Sequence, residues 1–306
     1  MAVIEVDGLR KSYGDNHALR GVSFEVAEGE VFALLGPNGA GKTTATEILE
    51  GYRSRSAGTV SVLGFDPASG GSAMRERIGI VLQSCGIVEQ LTVAETIEMY
   101  GSYYAHPRPA AELIELVELE EKPTAQIRTL SGGQRRRLDL ALGLVGDPDL
   151  LFLDEPTTGF DPSARRSAWR TIRNLCTLGK TVFLTTHFMD EAQELANRLA
   201  VIADGEIVAS GTPADLGGRD TAPATISFVL PAGTPPGELP AVPGATIGFA
   251  DDRVTIVTAT PVAAAYQLTG WAIGRGIELE QFAVTPPSLE DVYLRLTGHA
   301  DEGVAR

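Results

Sequence analysis

Nine residues, GPNGAGKTT (36–44), have the composition of a phosphate cradle. Gly36, Gly39 and Gly41 let a backbone curl until its N–H groups converge on an anion. The order G-x-x-x-x-G-K-[ST] sets Lys42 to reach β- and γ-phosphates and the Thr43 hydroxyl to ligate Mg²⁺. Such a loop has this meaning only between a strand and a helix. VFALL (31–35) precedes it and a helical segment follows, whose N-terminus adds partial positive charge. Pro37, Asn38, Ala40 and Thr44 complete the loop, so the whole run is expected to line the phosphate site.

LLFLDEP (150–156) supplies a second set of groups. Its apolar residues bury a strand, and two carboxylates emerge at the carboxyl end, where parallel sheets bind ligands. Asp154 is expected to hold magnesium through water. Glu155 is expected to orient and deprotonate the attacking water as a general base. A third stretch, TLSGGQRRRLDLA (129–141), spaces Ser131 and Gln134 as a helix capping box. Yet Gly132 and Gly133 fill the first turn, each costing a helix about 1 kcal/mol. Either the cap is loose, or something must approach this backbone where a Cβ would block it.

These groups need a scaffold. VFALL, IGIVL (78–82), LLFLD and TVFLTT (181–186) are short Val/Leu/Ile-rich runs alternating with segments of helical period. The pattern predicts an α/β fold with a buried, mostly parallel sheet. After Pro162, Ala168, Ile172 and Leu175 recur at helical spacing. Asp204-Gly205 marks a hairpin within LAVIADGEIVAS. AVIEVDGL and GVSFEVAEGE alternate as strands of a second, antiparallel sheet. Residues 216–224 are expected to be a linker. Beyond it, strands are predicted at 225–230, 245–250, 253–259 and 277–284, with helices at 261–275 and 288–297. That gives a small α+β domain at 219–306 behind a core at 1–218, whose helical subdomain spans about 84–147.

The formal charge of the 306-residue chain is −15, which argues against general nucleic-acid binding. Arg135, Arg136 and Arg137 form a local basic run, otherwise a solvated helix face. Two cysteines suit a reducing compartment, and the four histidines lack metal-ligand spacing. No run approaches the ~18 apolar residues of a membrane span, so any membrane role needs a partner.

Taken together, the motifs resemble the ATP-binding subunits of ABC transporters over residues 2 to about 215. The resemblance implies a P-loop ATPase core that uses ATP and Mg²⁺. It identifies Tyr13 with the aromatic that stacks on adenine, and 36–44 and 150–156 with the Walker A and B motifs. Gln83 matches the glutamine that senses Mg²⁺ and faces the membrane partner. LSGGQ (130–134) matches the family signature, Asp161 in TGFDP the D-loop, and His187 the switch histidine. Phe160 stands where leucine is commoner.

In that family two nucleotide domains pair head to tail. Ser131, Gly132, Gly133, Gln134 and Asp161 would then face a nucleotide held by the partner. The resemblance implies a homodimer or paired ATPase subunit, a separate integral-membrane permease, and a place on the cytoplasmic face of the membrane. PSLEDVYLRLTG (287–298) resembles the ending of ATPases that serve drug, antibiotic and lipid exporters of the daunorubicin-resistance type. It also reads as an amphipathic helix with Leu289, Val292, Tyr293 and Leu296 on one face. Importer ATPases, and ABC ATPases of translation or DNA repair, are the alternatives. The latter usually carry two nucleotide domains or a coiled-coil insertion, and neither is seen here.

Overall fold

Strands buried on both faces favour apolar residues; VFALL and LLFLD are almost wholly apolar, and TVFLTT is so at its centre. In the computed structural model, which describes residues 2–81, 86–219, 222–231 and 233–296, these become the middle of a six-stranded sheet. The first unit runs β1 (Ala2–Tyr13), β2 (Asn16–Ala27), β3 (Val31–Leu35), α1 (Lys42–Leu49), β4 (Ala57–Val62), α2 (Gly71–Arg75), β5 (Ile78–Val81), α3 (Val93–Gly101), α4 (Ala110–Leu116), α5 (Gly132–Leu144), β6 (Leu150–Asp154), α6 (Pro162–Thr177), β7 (Thr181–Thr186), α7 (Met189–Leu195), β8 (Arg198–Ala203) and β9 (Glu206–Gly211). The strand order is β5-β6-β7-β3-β8-β9, parallel except for the β8–β9 hairpin. Asp204 and Gly205 both take positive φ in that turn, as a tight hairpin requires.

Register places the functional loops together. Leu35 of β3 opposes Thr186 of β7, and Asp154 of β6 opposes Thr185. The chain therefore leaves β3, β6 and β7 along one edge, carrying Gly36, Glu155 and His187 respectively. A smaller antiparallel sheet, β2-β1-β4, packs on this one. Its Phe24 stacks on Phe32 and Phe183 at 5.3 and 5.9 Å between ring centroids. These aromatic contacts tie the two sheets into one core. The antiparallel sheet agrees with the alternation of AVIEVDGL and GVSFEVAEGE, and β4 adds a third strand to it.

The chain divides into two compact units at 213/214. The second contains β10 (Ala224–Val229), β11 (Thr246–Ala250), β12 (Arg253–Thr258), α8 (Pro261–Arg275), β13 (Glu280–Thr285) and α9 (Leu289–Leu296). Its four-stranded antiparallel sheet, β11-β12-β10-β13, packs against α8 through Ile226, Phe228, Ile256, Ala264 and Leu268. Two local expectations change. Within the predicted linker, Leu216 is buried in a 3-10 turn. The last strand begins at Glu280 rather than 277, because α8 closes on Gly276 in the left-handed conformation and the chain needs residues to reverse. In α9, Leu289 and Val292 are buried as the apolar face predicts.

Candidate functional site

The loop after β3 is built so that only glycine fits at two positions. A Cβ on Gly36 would lie 2.3 Å from the Ile202 carbonyl oxygen. At Gly41 it would lie 2.7 Å from the Ala18 carbonyl oxygen, and φ there is +107°. The loop then opens directly into α1, whose first turn has no side-chain cap. Its free N–H groups remain available to an anion. The ammonium of buried Lys42 donates to the carbonyls of Gly36 (2.9 Å) and Pro37 (3.2 Å), so it is held over the loop. Ala40 packs inward and donates to Pro37 O.

Asn38, Gly39, Gly41, Lys42, Thr43 and Thr44 line an open cleft of about 480 Å³ together with Tyr13, Asp154 and Glu155. Asn16 and Ala18, not singled out from sequence, also line it. Tyr13 lies at the end of β1, 41% exposed, with Lys11 Nζ and Arg53 Cζ 5.0 and 5.3 Å from its ring centroid. Thr43 and Asp154 give this cleft a hydroxyl and a carboxylate. Such hard oxygen donors suit Mg²⁺, which takes one or two carboxylates and completes its shell with water and phosphate. Gln83 lies outside the described residues.

Glu155 is the most constrained residue of the site. Its φ is +46°, a conformation that costs a non-glycine residue about 1–3 kcal/mol. The surroundings hold it there. Its N–H donates to Thr185 O at 3.1 Å, and Thr158 Oγ1 donates to its carboxylate at 3.2 Å. Arg136, reaching from α5, donates to the carbonyls of Asp154 and Pro156, both at 3.1 Å. The Glu155 carboxylate lies 3.4 Å from Lys42 Nζ and 3.1 Å from His187 Nδ1. The histidine contact has ion-pair distance without hydrogen-bond alignment, so its strength depends on ring protonation. Burial pushes the Glu155 carboxyl up, but His187, Lys42 and Thr158 outweigh it and hold it below the usual glutamate range. It is therefore ionised at neutral pH.

The signature lies elsewhere. Ser131, Gly132, Gly133, Gln134 and Asp161 line a second open cleft that shares no lining residue with the first. The capping box is complete: Ser131 Oγ accepts from Gln134 N, and the Gln134 side chain accepts from Ser131 N. The glycines are a separate matter. A Cβ on Gly132 would meet nothing within 4 Å, and one on Gly133 only Ala164 Cβ at 3.6 Å. Nothing in the described part of the chain demands glycine at either place. Asp161 caps α6, accepting from Ser163 N and Ala164 N at 2.8 and 3.0 Å. Those amides hold its carboxyl below the usual aspartate range.

The arginine run is neither a basic patch nor a solvated face. Arg135 pairs with Glu89 and Arg137 with Glu118, while Arg136, 12% exposed, anchors the Glu155 loop. Contacts spanning 18 to 20 residues between a side chain and backbone carbonyls leave no periodic trace in sequence.

Residues 19–158 match the ABC transporter family, and residues 224–288 match the C-terminal domain of an ABC transporter domain-containing protein-like family. The chain is 41% identical to the Nod factor export ATP-binding protein I of Rhizobium meliloti (strain 1021), covering 96% of this chain and 88% of that one. It is 39% identical to the protein of the same name in Paraburkholderia xenovorans (strain LB400), covering 97% of each.

Among solved structures, cbiO1 from Clostridium perfringens, part of the ABC transporter complex cbiONQ, superposes with TM-score 0.64 at 28% identity. The match covers 70% of this chain and 90% of cbiO1. The dimeric ATP-binding cassette MJ0796, bound to ADP and Pi, gives 0.61 at 25% identity, over 68% of this chain and 98% of that cassette. The P-loop ATPase core read from sequence is thus borne out. The chain belongs to the family of ABC transporter ATP-binding subunits. It is an ATP-binding and ATP-hydrolysing subunit that couples hydrolysis to transport.

Proposed function

We propose that the chain works as a pair of copies beneath a separate integral-membrane permease and powers export of a drug, antibiotic or lipid-like molecule. The pairing rests on one observation: the phosphate loop and the signature occupy two clefts of one chain, each open, with no residue in common. The two sets of phosphate-binding groups therefore do not form one cleft within a single copy. Head-to-tail pairing lets each nucleotide meet the phosphate loop of one copy and Ser131, Gly132, Gly133, Gln134 and Asp161 of the other. Export is supported by about 40% identity to proteins named for Nod factor export over nearly the whole chain. Among the described residues no helix is long and apolar enough to cross a membrane, which suits a peripheral subunit on the cytoplasmic face.

Within this reading, Gly36 to Thr44 hold the phosphates and Lys42 places its charge at the β- and γ-groups. Tyr13 stacks on the base. Thr43, Gln83 and Asp154 would hold Mg²⁺, which when bound would supply charge neutralisation at the phosphate oxygens. Glu155, ionised and fixed by its neighbours, accepts the proton of the attacking water. His187 lies beside Glu155 and orients the reacting γ-phosphate. No nucleic acid takes part.

Two experiments test the reading. Ser131→Arg should leave ATP binding intact and abolish turnover, because it obstructs only the composite site. Full hydrolysis by that variant as a monomer would overturn the pairing. The tagged chain, solubilised gently from its native membranes, should bring down a stoichiometric integral-membrane protein. Ribosomal or DNA-repair proteins in its place would remove the transport assignment.

A further inference from the structure

We infer that Glu191 is a positioning residue for hydrolysis: from α7 it fixes the loop that carries Glu155 against the segment that carries His187. The inference rests on the roles proposed for those two residues.

Glu191 follows His187 by four residues and is completely buried. Thr157, also completely buried, follows Glu155 by two. Thr157 Oγ1 donates to Glu191 Oε1 at 2.6 Å, and Trp169 Nε1 of α6 donates to the same oxygen at 3.1 Å. One carboxylate oxygen therefore joins the loop after β6, the helix after the D-loop and the helix after the switch histidine. Among the described residues no cation forms an ion pair with Glu191. Burial pushes its carboxyl up, while Thr157, Thr186, Trp169 and Arg165 oppose that shift. Packing alone would favour an apolar side chain here. What the acid supplies is an acceptor at a place where the loop needs an anchor.

That need is specific. Glu155 sits at positive φ, and such a conformation persists only when its surroundings impose it. Arg136 holds the carbonyls on one side of the loop. Thr157, two residues further on, is buried and donates to Glu191. The α6–α7 seam is further pinned by Arg165, which pairs with Asp190 at 3.2 Å and stacks 4.5 Å from the Phe188 ring centroid. Loss of the Thr157–Glu191 bond frees the loop to relax and moves the base relative to its water. A misplacement of about 1 Å at a reacting group can cost ~100-fold in rate.

The test compares full-length variants for ATP hydrolysis and thermal stability. Thr157→Val should lower kcat at least ~10-fold and change KM for ATP less than ~3-fold. Thr157→Ser, which keeps the hydroxyl, should restore kcat. Glu191→Gln keeps an acceptor oxygen and should stay within ~3-fold of the parent kcat, whereas Glu191→Leu should not. Trp169→Phe leaves the Thr157 bond in place and should spare kcat even where it lowers the melting temperature. Parent-like kcat in Thr157→Val, alongside an inactive Glu155→Gln, overturns the inference and leaves the role of Glu155 standing. Losses of kcat that follow the melting temperature across the series also overturn it. Normal turnover in Glu155→Gln removes the premise itself.

Discussion

Replacing Gly132 with alanine separates the two uses of the signature glycines. Locally the substitution should help the fold. Gly132 is the first residue of α5, its φ is not positive, and a Cβ would meet nothing within 4 Å. Alanine in a helix is favoured over glycine by about 0.5–1 kcal/mol. In a unit of this size each kcal/mol moves the midpoint about 2–4 °C, so the variant should melt about 1–4 °C higher. In the proposed pair the same methyl group stands where the partner's γ-phosphate must approach the bare backbone. Turnover should fall at least ~10-fold, since small displacements at the reacting group are heavily amplified. Calorimetric melting and steady-state ATP hydrolysis on one preparation read both effects. A variant both more stable and fully active would mean that the glycine is not reserved for approach. One that is less stable would contradict the local account.

Glu155→Gln should lower turnover by about 10²–10⁴-fold and accumulate an ATP-bound pair on size-exclusion chromatography; normal turnover sinks the general-base role. Gly36→Ala drives a methyl group to 2.3 Å from the Ile202 carbonyl and should destabilise by more than about 1 kcal/mol while abolishing ATP binding, with wild-type binding as the contrary result. Burial, with Asp154 and Glu47 nearby, pushes the Glu50 carboxyl up to about 8. The folded state then holds this proton where the unfolded chain releases it, so the Glu50 contribution falls as pH rises from about 4.5 toward 8. Glu50→Gln should flatten melting temperature against pH in that window and raise it at pH 8; parallel curves for the two proteins would refute the shift.

The sequence showed the sheet most clearly where burial is two-sided. β3 and β6 are almost wholly apolar and β7 is apolar at its centre because neither face sees water, and the groups proposed to be catalytic follow their ends. α6 was legible for the opposite reason: one face is apolar, and Asp161 with Pro162 marks its start. β4 escaped notice because AGTVSV is short and half exposed, and becomes a strand only by pairing with β1 some fifty residues earlier. Arg136 and Glu191 were invisible for a related reason. Each acts on a loop brought near only by the fold, and each sits in a helix whose local pattern is satisfied without it.

In the proposed pair, charge bears on how the divided site would work. Among the described residues lining the phosphate cleft, Lys42 is one positive charge against two negative ones, Asp154 and Glu155. An anionic nucleotide gains little from such side chains. It must be held by the N–H groups of the loop and the end of α1, and by a divalent cation. The signature cleft is built the same way, from a hydroxyl, unencumbered backbone and a helix start, with Arg137 already paired to Glu118. Two copies, each at −15, repel one another at distances within about 10 Å at 0.1 M salt. In the proposed pair, little attracts the faces until a triphosphate bridges them. Hydrolysis turns the bridging triphosphate into ADP and inorganic phosphate, and once the phosphate leaves the site the group that the signature would contact is gone. In the proposed pair the acidity of the chain, −15 per copy, therefore opposes association and favours separation once the phosphate has left.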